Sequence, residues 1–407
     1  MRAVVKRDTQ LVHGGRPDYS DGRRAVNPPL VRASTVDFAS IAEMTQAQRL
    51  GASGQQAFTY GIHGTPTTFA LESLITELEG GAATCLYSSG LEAISAVFLG
   101  FLKPGDHLLV VDTVYSPVRR LLDRFLGERG IQYTFYSPRD TDLSRLIRKE
   151  TRMIYTETPG SVSMELQDIG AIAQMARQHG EIIVACDNTW SSGYCFRPLE
   201  HGADLSIVAG TKYLSGHSDV MIGSVTASEQ SYAALHHAHD LLGLSASPDD
   251  CALTLRGART LHIRYPAHAE RALRVAAWLE GHEAVAAVHY PPLPSSPDHA
   301  LWRSQYEGAA GLFTIELYDV DAQRVTSFLD HLALFGRGAS WGGFESLALP
   351  CPIAENRSVD DWGKGGSLVR LHIGLEDPLD LIDDLEQALD AGGCCHGTVS
   401  ATARSSD

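Results

Sequence analysis

Lysine is scarce in this 407-residue chain. It occurs only at positions 6, 103, 149, 212 and 364, so a lysine that closes an apolar run stands out. Lys212 ends Asp204-Leu-Ser-Ile-Val-Ala-Gly-Thr-Lys and is followed by Tyr213-Leu-Ser-Gly-His217. Burial at a strand end disfavours the ammonium and lowers its pKa. The neutral amine is a nucleophile able to form a Schiff base. The competing reading is a lysine that snorkels its charge into water. Upstream, Asp187 closes Ile182-Ile-Val-Ala-Cys and opens Asp187-Asn-Thr-Trp190. A buried acid needs a partner. The pyridinium nitrogen of pyridoxal phosphate (PLP) is one such partner, and an acid that keeps it protonated makes the ring an electron sink. The alternative is an aspartate that caps the next turn.

Tyr87-Ser-Ser-Gly90-Leu91-Glu92 joins a strand to a helix N-terminus, where free N–H groups and the helix dipole favour an anion. It matches neither G-x-x-x-x-G-K-[ST] nor G-x-G-x-x-G, and any βα turn of small residues looks similar. Tyr115, after the strand His107–Val111, can stack on a planar cofactor or simply pack. Arg370 interrupts the apolar run Ser367-Leu-Val-Arg-Leu-His-Ile-Gly. It is suited to bidentate capture of a carboxylate or to an internal salt bridge. His236-His237-Ala-His239 lacks a carboxylate–histidine pattern, so a solvated helix face is expected there and no metal. The acidic pairs near 249, 360 and 383 read as solvated turns or helix faces.

The elements that must position these residues follow from periodicity. Residues 1–64 lack a clear period, carry turn signals and read as an extended arm that must wrap on the body or on another subunit. Ala82–Tyr87, His107–Val111, Ile131–Tyr136, Met153–Thr156, Ile182–Cys186, Leu205–Ala209 and Met221–Thr226 are apolar runs of strand length. Helical stretches such as Leu91–Leu102, Val118–Arg129 and Ile169–His179 alternate with them. This pattern predicts a mainly parallel seven-stranded α/β sheet over 65–257, covered on both faces, with ligands beyond its C-terminal strand ends. Residues 258–392 predict a smaller α+β domain with helices at Arg259–Glu280 and Asp380–Ala391 and strands at Ala310–Leu317 and Leu368–Ile373. Residues 393–407 read as a frayed tail.

Composition narrows the class. Lys+Arg is 33 against Asp+Glu 49, a net charge of −16, which repels phosphate backbones and argues against nucleic-acid partners. No apolar run reaches the ~20 residues of a membrane span, and the start has no apolar segment of a signal peptide. The seven cysteines (85, 186, 195, 251, 351, 394 and 395) have no regular spacing and read as free thiols in a reducing cytoplasm.

The chain resembles the Cys/Met-metabolism PLP-dependent enzymes from about residue 10 to 390. The resemblance rests on Tyr60-Gly-Ile-His-Gly-Thr-Pro-Thr, Leu78-Glu-Gly-Gly, Ser89-Gly90, Glu157-Thr-Pro-Gly-Ser161, Asp187-Asn-Thr-Trp, Gly210-Thr-Lys-Tyr-Leu-Ser-Gly-His-Ser-Asp219, Ser340-Trp-Gly-Gly-Phe-Glu-Ser346 and Arg370-Leu-His-Ile-Gly-Leu-Glu-Asp377. The last two favour the β-lyase branch. The resemblance implies a fold-type I, aspartate aminotransferase-like subunit in homotetramers built from dimers. It implies that Lys212 holds PLP, Asp187 pairs with the ring nitrogen and Tyr115 stacks on the ring. Gly90, Leu91 and Thr211, with Ala209 close by, bind the phosphate, which Tyr60 reaches from the neighbouring subunit. Ser340, Trp341 and Arg370, with Tyr60, meet the substrate. The implied reaction is β-elimination from L-cystathionine or a related cysteine thioether. A γ-lyase, a γ-synthase and a non-catalytic PLP-fold binding protein are the alternatives. Two positions depart from the family pattern: Ile62 replaces an arginine that binds the partner's phosphate, with His63 beside it, and Ala339 stands where β-lyases often have tyrosine.

Overall fold

The seven apolar runs form one sheet. The computed structural model describes residues 5–17, 20, 22–318, 320–353, 356–359 and 367–395. The strands are β1 (Ala83–Tyr87), β2 (His107–Val111), β3 (Gln132–Tyr136), β4 (Thr151–Glu157), β5 (Ile183–Asp187), β6 (Leu205–Val208) and β7 (Gly223–Ala227), in the order β1-β7-β6-β5-β4-β2-β3. Strands β3, β2, β4, β5 and β6 are parallel; β7 runs antiparallel to both β6 and β1. Every residue of β2, β6 and β7 is buried, as expected for strands with helices on both faces. Parallel neighbours end together. Glu157 on β4, Asp187 on β5 and Ile207 on β6 lie side by side, so the sheet aligns its chemistry along one edge.

A second, antiparallel sheet follows: β8 (Val285–His289), β9 (Leu312–Leu317), β10 (Leu347–Pro350) and β11 (Ser367–His372), ordered β10-β11-β9-β8. The helices Leu261–Glu280 and Pro378–Ala391 belong to this part of the chain, and Leu261–Glu280 packs on β8 and on Pro378–Ala391. Periodicity found β9 and β11 but missed β8 and β10. Both are edge strands; one is alanine-rich and half-exposed, the other is four residues long and ends at proline.

Three further expectations are corrected. The first 64 residues are not extended throughout, since they hold the helices Arg7–His13 and Ile41–Ala52. Ile41–Ala52 buries no residue, so no apolar stripe announced it. The stretch Val118–Arg129 is a short α-helix, Ser116–Leu121, continued by a π-turn at Leu122–Leu126 and a 3₁₀ turn at Gly127–Arg129. The tail is ordered as far as Cys394, which is buried and donates its N–H to the Leu389 carbonyl at 3.0 Å; residues 396–407 lie outside the described residues.

The polar surface also departs from expectation. Asp384 is buried and accepts the N–H groups of Ala333 and Leu334, each at 2.8 Å. Asp249 does face solvent, where it pairs with Arg32, and Asp360-Asp361 lie outside the described residues. In the helix Tyr232–Leu241, His237 is exposed, but His239 bonds the Leu86 carbonyl at 2.8 Å and packs edge-on to Tyr87. Among the described residues no cluster of three or more His, Cys, Asp or Glu could hold a metal ion, and no helix is long and apolar enough to cross a membrane. The seven cysteines are free.

Candidate active site

The aligned strand ends open into a cavity of about 670 Å³. Gly90, Leu91, Tyr115, Asp187, Ala209, Thr211, Lys212, Ser340, Trp341 and Arg370 all line it. The large sheet and its loops supply the first seven; the small sheet and the loop before β10 supply the last three. Tyr60 is not in the lining. Its ring is exposed and meets His63 edge-on at 6.3 Å.

Asp187 caps the turn that follows β5, its Oδ1 accepting the Thr189 N–H at 3.0 Å, while Oδ2 lies 3.5 Å from the Tyr155 hydroxyl. Burial is the largest influence on this acid and pushes it up; the Thr189 bonds oppose that, and Lys212 contributes last, through space. The turn-capping reading is thus met, and among the described residues no cation bonds the buried carboxylate. A protonated pyridinium would supply that cation. Glu157, its neighbour on β4, is pushed well above the usual carboxylate range by burial and then by Asp187. It accepts the Tyr115 N–H at 2.7 Å and so anchors the start of that turn.

Lys212 Nζ donates to Ser340 Oγ at 2.6 Å and lies 5.2 Å from the Trp341 ring centre. Burial first, and Arg370 second, push this amine down to about 8, with Asp187 opposing. The amine's bond to Ser340 and its place beside Trp341 argue against the snorkelling alternative. Arg370 Nη2 donates to the Ser340 carbonyl at 2.9 Å. Burial lowers its pKa, and the Cys351 thiol and the Tyr115 phenol beside it oppose this only where they ionise. Among the described residues the guanidinium closes no salt bridge; it holds the loop that carries Ser340.

At the opposite side, the helix Gly90–Phe101 points its N-terminus at the cavity. Ser89 Oγ caps it by accepting the Glu92 N–H at 3.1 Å, and the N–H groups of Gly90 and Leu91, in the first turn, have no intrahelical acceptor. Gly90 is required by proximity, since a Cβ there would lie 2.6 Å from that of Ala209. The Ala209 N–H donates to Thr189 Oγ1 at 2.9 Å. Thr211 Oγ1 is tied to Ile222, donating to its carbonyl at 3.0 Å and accepting its N–H at 2.9 Å. The set comprises an anion cradle, a partly neutral amine and a buried acid without a cation, which fits a phosphorylated pyridine aldehyde. Sequence reasoning missed Thr189 and Glu157 as site residues. Both stand inside quoted motifs, but their work is done by hydrogen bonds that no spacing displays.

The Cys/Met metabolism PLP-dependent enzyme family model matches residues 8–390. A "Cystathionine beta-lyase" of Bordetella avium is 46% identical over 388 residues, covering 94% of this chain and 97% of the relative. An "L-alanine/L-glutamate racemase" of Wolbachia pipientis wMel is 38% identical, covering 95% of this chain and 97% of the relative. A human "Cystathionine gamma-lyase" is 36% identical, covering 94% and 93%. The chain thus belongs to the Cys/Met metabolism PLP-dependent enzyme family, and pyridoxal 5'-phosphate is its cofactor.

Proposed function

We propose that this chain is a carbon–sulfur β-lyase that cleaves L-cystathionine, or a related cysteine thioether, to a thiol, pyruvate and ammonia. The carrying observation is the bond from Lys212 Nζ to Ser340 Oγ at 2.6 Å, with Arg370 holding the Ser340 carbonyl. A basic amine beside a carboxylate-binding pair is the arrangement that proton removal at Cα of an amino acid needs. Relatives named cystathionine β-lyase support the substrate class.

PLP, when bound, supplies an electron sink that makes the Cα–H acidic. The residues do the rest. Lys212 would hold the cofactor and, as a free amine, would take the Cα proton; such positioned acid–base groups give typically ~10²–10⁴-fold. Asp187 would keep the ring nitrogen protonated, and Tyr115, on the cavity wall, would help to hold the ring. The Gly90 and Leu91 N–H groups bind the phosphate beside Thr211 and Ala209. Arg370 and Ser340 take the α-carboxylate and fix Cα against Lys212, with Trp341 closing that wall. The C–S bond breaks from Cβ with its electron pair leaving on sulfur as thiolate, to which the ammonium of Lys212 can return the proton it took from Cα. The three-carbon fragment takes up water to give pyruvate and ammonia.

In this reading the enzyme is a homo-oligomer, a dimer of dimers, in which Tyr60 reaches the phosphate held by a neighbouring subunit. The exposure of Tyr60 and its absence from its own cavity support this. The working compartment is the cytoplasm, where seven free thiols stay reduced. The test is a panel of L-cystathionine and S-alkylcysteines given to the PLP-loaded protein. Thiol and pyruvate in equal amounts are expected. 2-Oxobutyrate would assign the γ-lyase reading, and inversion of L-alanine without thiol release would overturn elimination altogether.

A further inference from the structure

The motif Arg370-Leu-His-Ile-Gly enters the proposed mechanism only through Arg370, yet β11 makes a second contact with the site. Ser340 has φ 82°, a left-handed conformation that a residue with a side chain holds only when its surroundings impose it. Two bonds from β11 flank it. Arg370 Nη2 donates to the Ser340 carbonyl at 2.9 Å, and His372 Nε2 accepts the Gly342 N–H at 3.0 Å. Residues two apart on a strand share a face, so the pair grips one loop from one side. The other ring nitrogen of His372, Nδ1, faces the Glu345 carbonyl at 3.0 Å. The imidazole therefore spans the loop from 342 to 345. Gly342, at φ 89°, is pressed so close to the lysine's backbone that a Cβ would lie 2.8 Å from the Lys212 carbonyl carbon.

These bonds define the ring's state. A backbone N–H can donate only to an unprotonated nitrogen, and a carbonyl oxygen can accept only from a protonated one, so the ring is the neutral Nδ1–H tautomer. We propose that His372 is a positioning residue for Lys212: as a neutral Nδ1–H imidazole it locks the Ser340–Gly342 turn and thereby sets the bond between Ser340 and the lysine amine. The proposal rests on the reading that Lys212 is the reactive amine. The surroundings of the ring agree with it. His372 is fully buried against Tyr213 and His268, and the charged groups that bear on it, Arg370 and Lys212, are cationic. Burial pushes its pKa well below the usual histidine range.

A double-mutant cycle on the holoenzyme tests this with His372→Leu, Ser340→Ala and the double variant, alongside His372→Gln, whose amide oxygen can still accept. Each of the first two should lower kcat/KM by about tenfold, the cost of one lost bond with a buried partner left unpaired. Each should also move the pH midpoint of the bound cofactor's visible absorbance in the same direction. The double variant should lose no more than the worse single one, because both act through one bond, and His372→Gln should recover most of the loss. Multiplied losses, or a midpoint that moves with Ser340→Ala but not with His372→Leu, would overturn the proposal. Should His372→Leu fail to fold, ¹⁵N NMR of wild-type apo-protein decides. His372 should stay the neutral Nδ1–H tautomer between about pH 5.5 and 8.5; a doubly protonated or Nε2–H ring there overturns the proposal. Borohydride reduction separates the two levels. A pyridoxyl label away from Lys212 sinks the underlying reading and the proposal together, whereas a failed cycle with the label on Lys212 sinks the proposal alone.

Discussion

Burial moves Lys212 down and Asp187 up, so each is held nearer its neutral form than water would allow. For the lysine the sign is definite. Its folded-state pKa, about 8, lies below the ordinary 10.5. Burying the ammonium therefore costs stability below about 8, and that cost is relieved as pH rises toward 10.5. The neutral, attacking fraction grows through the same lower midpoint. Attachment of PLP to the apo-protein, followed by its visible band in stopped flow, should accelerate as pH passes about 8, and a rate that rises only toward 10.5 would contradict the buried amine. Arg370 makes a separate prediction. With Arg370→Ala the charge-assisted contact to the substrate carboxylate is lost, worth ~1.5–3 kcal/mol, so KM for L-cystathionine should rise by roughly tenfold or more with PLP still bound. A change below about twofold in steady-state kinetics would make Arg370 a loop anchor only. At this scale Lys212, Asp187 and Arg370 were legible because each is a charge at an apolar strand. Thr189 and Glu157 were not, since their roles depend on which backbone N–H they face across the sheet.

Among the elements, the helix Gly90–Phe101 is the one that, in the proposed reading, holds the cofactor's phosphate. Its first residue abuts Ala209 with no room for a methyl group, Cβ to Cβ 2.6 Å. Gly90→Ala must push the helix start off the loop before Lys212. Overpacking of that kind costs typically ~1–3 kcal/mol, and it should appear mainly as a five- to hundredfold weaker PLP Kd in apo-protein titrations, roughly that energy expressed as affinity. Unchanged Kd with a lowered Tm would place the cradle elsewhere. The sheet itself was readable because β2, β5 and β6 are short, mostly apolar runs. The strands β8 and β10 were not: an edge strand buries less and tolerates alanine and proline, which erases the pattern. The helix Ile41–Ala52, with no buried residue in this chain, carries no core stripe to read.

Across the whole molecule, the site is shared between two sheets. Lys212 and Asp187 stand at the ends of the large one, and Arg370 belongs to the small one, with Ser340 on the loop that enters it. Neither part holds a complete set. The segment carrying Tyr60 turns in a 3₁₀ bend at Gly61–His63, where His63 lies 3.3 Å from Thr59 Oγ1 and 3.6 Å from Asp240, while Ile62 faces Gly243. If that segment serves a neighbouring subunit, Ile62→Arg should tighten PLP binding at high protein concentration and lose the gain on dilution; a gain independent of dilution would place the segment's target within its own chain. The central claim, that Lys212 takes the Cα proton of a thioether and directs β-elimination, is tested most directly by keto-acid formation from L-cystathionine with wild type and Lys212→Ala side by side. The account predicts pyruvate from the wild type and at least ~10²-fold less from the variant; 2-oxobutyrate as the product, or near wild-type turnover without the lysine, would contradict it.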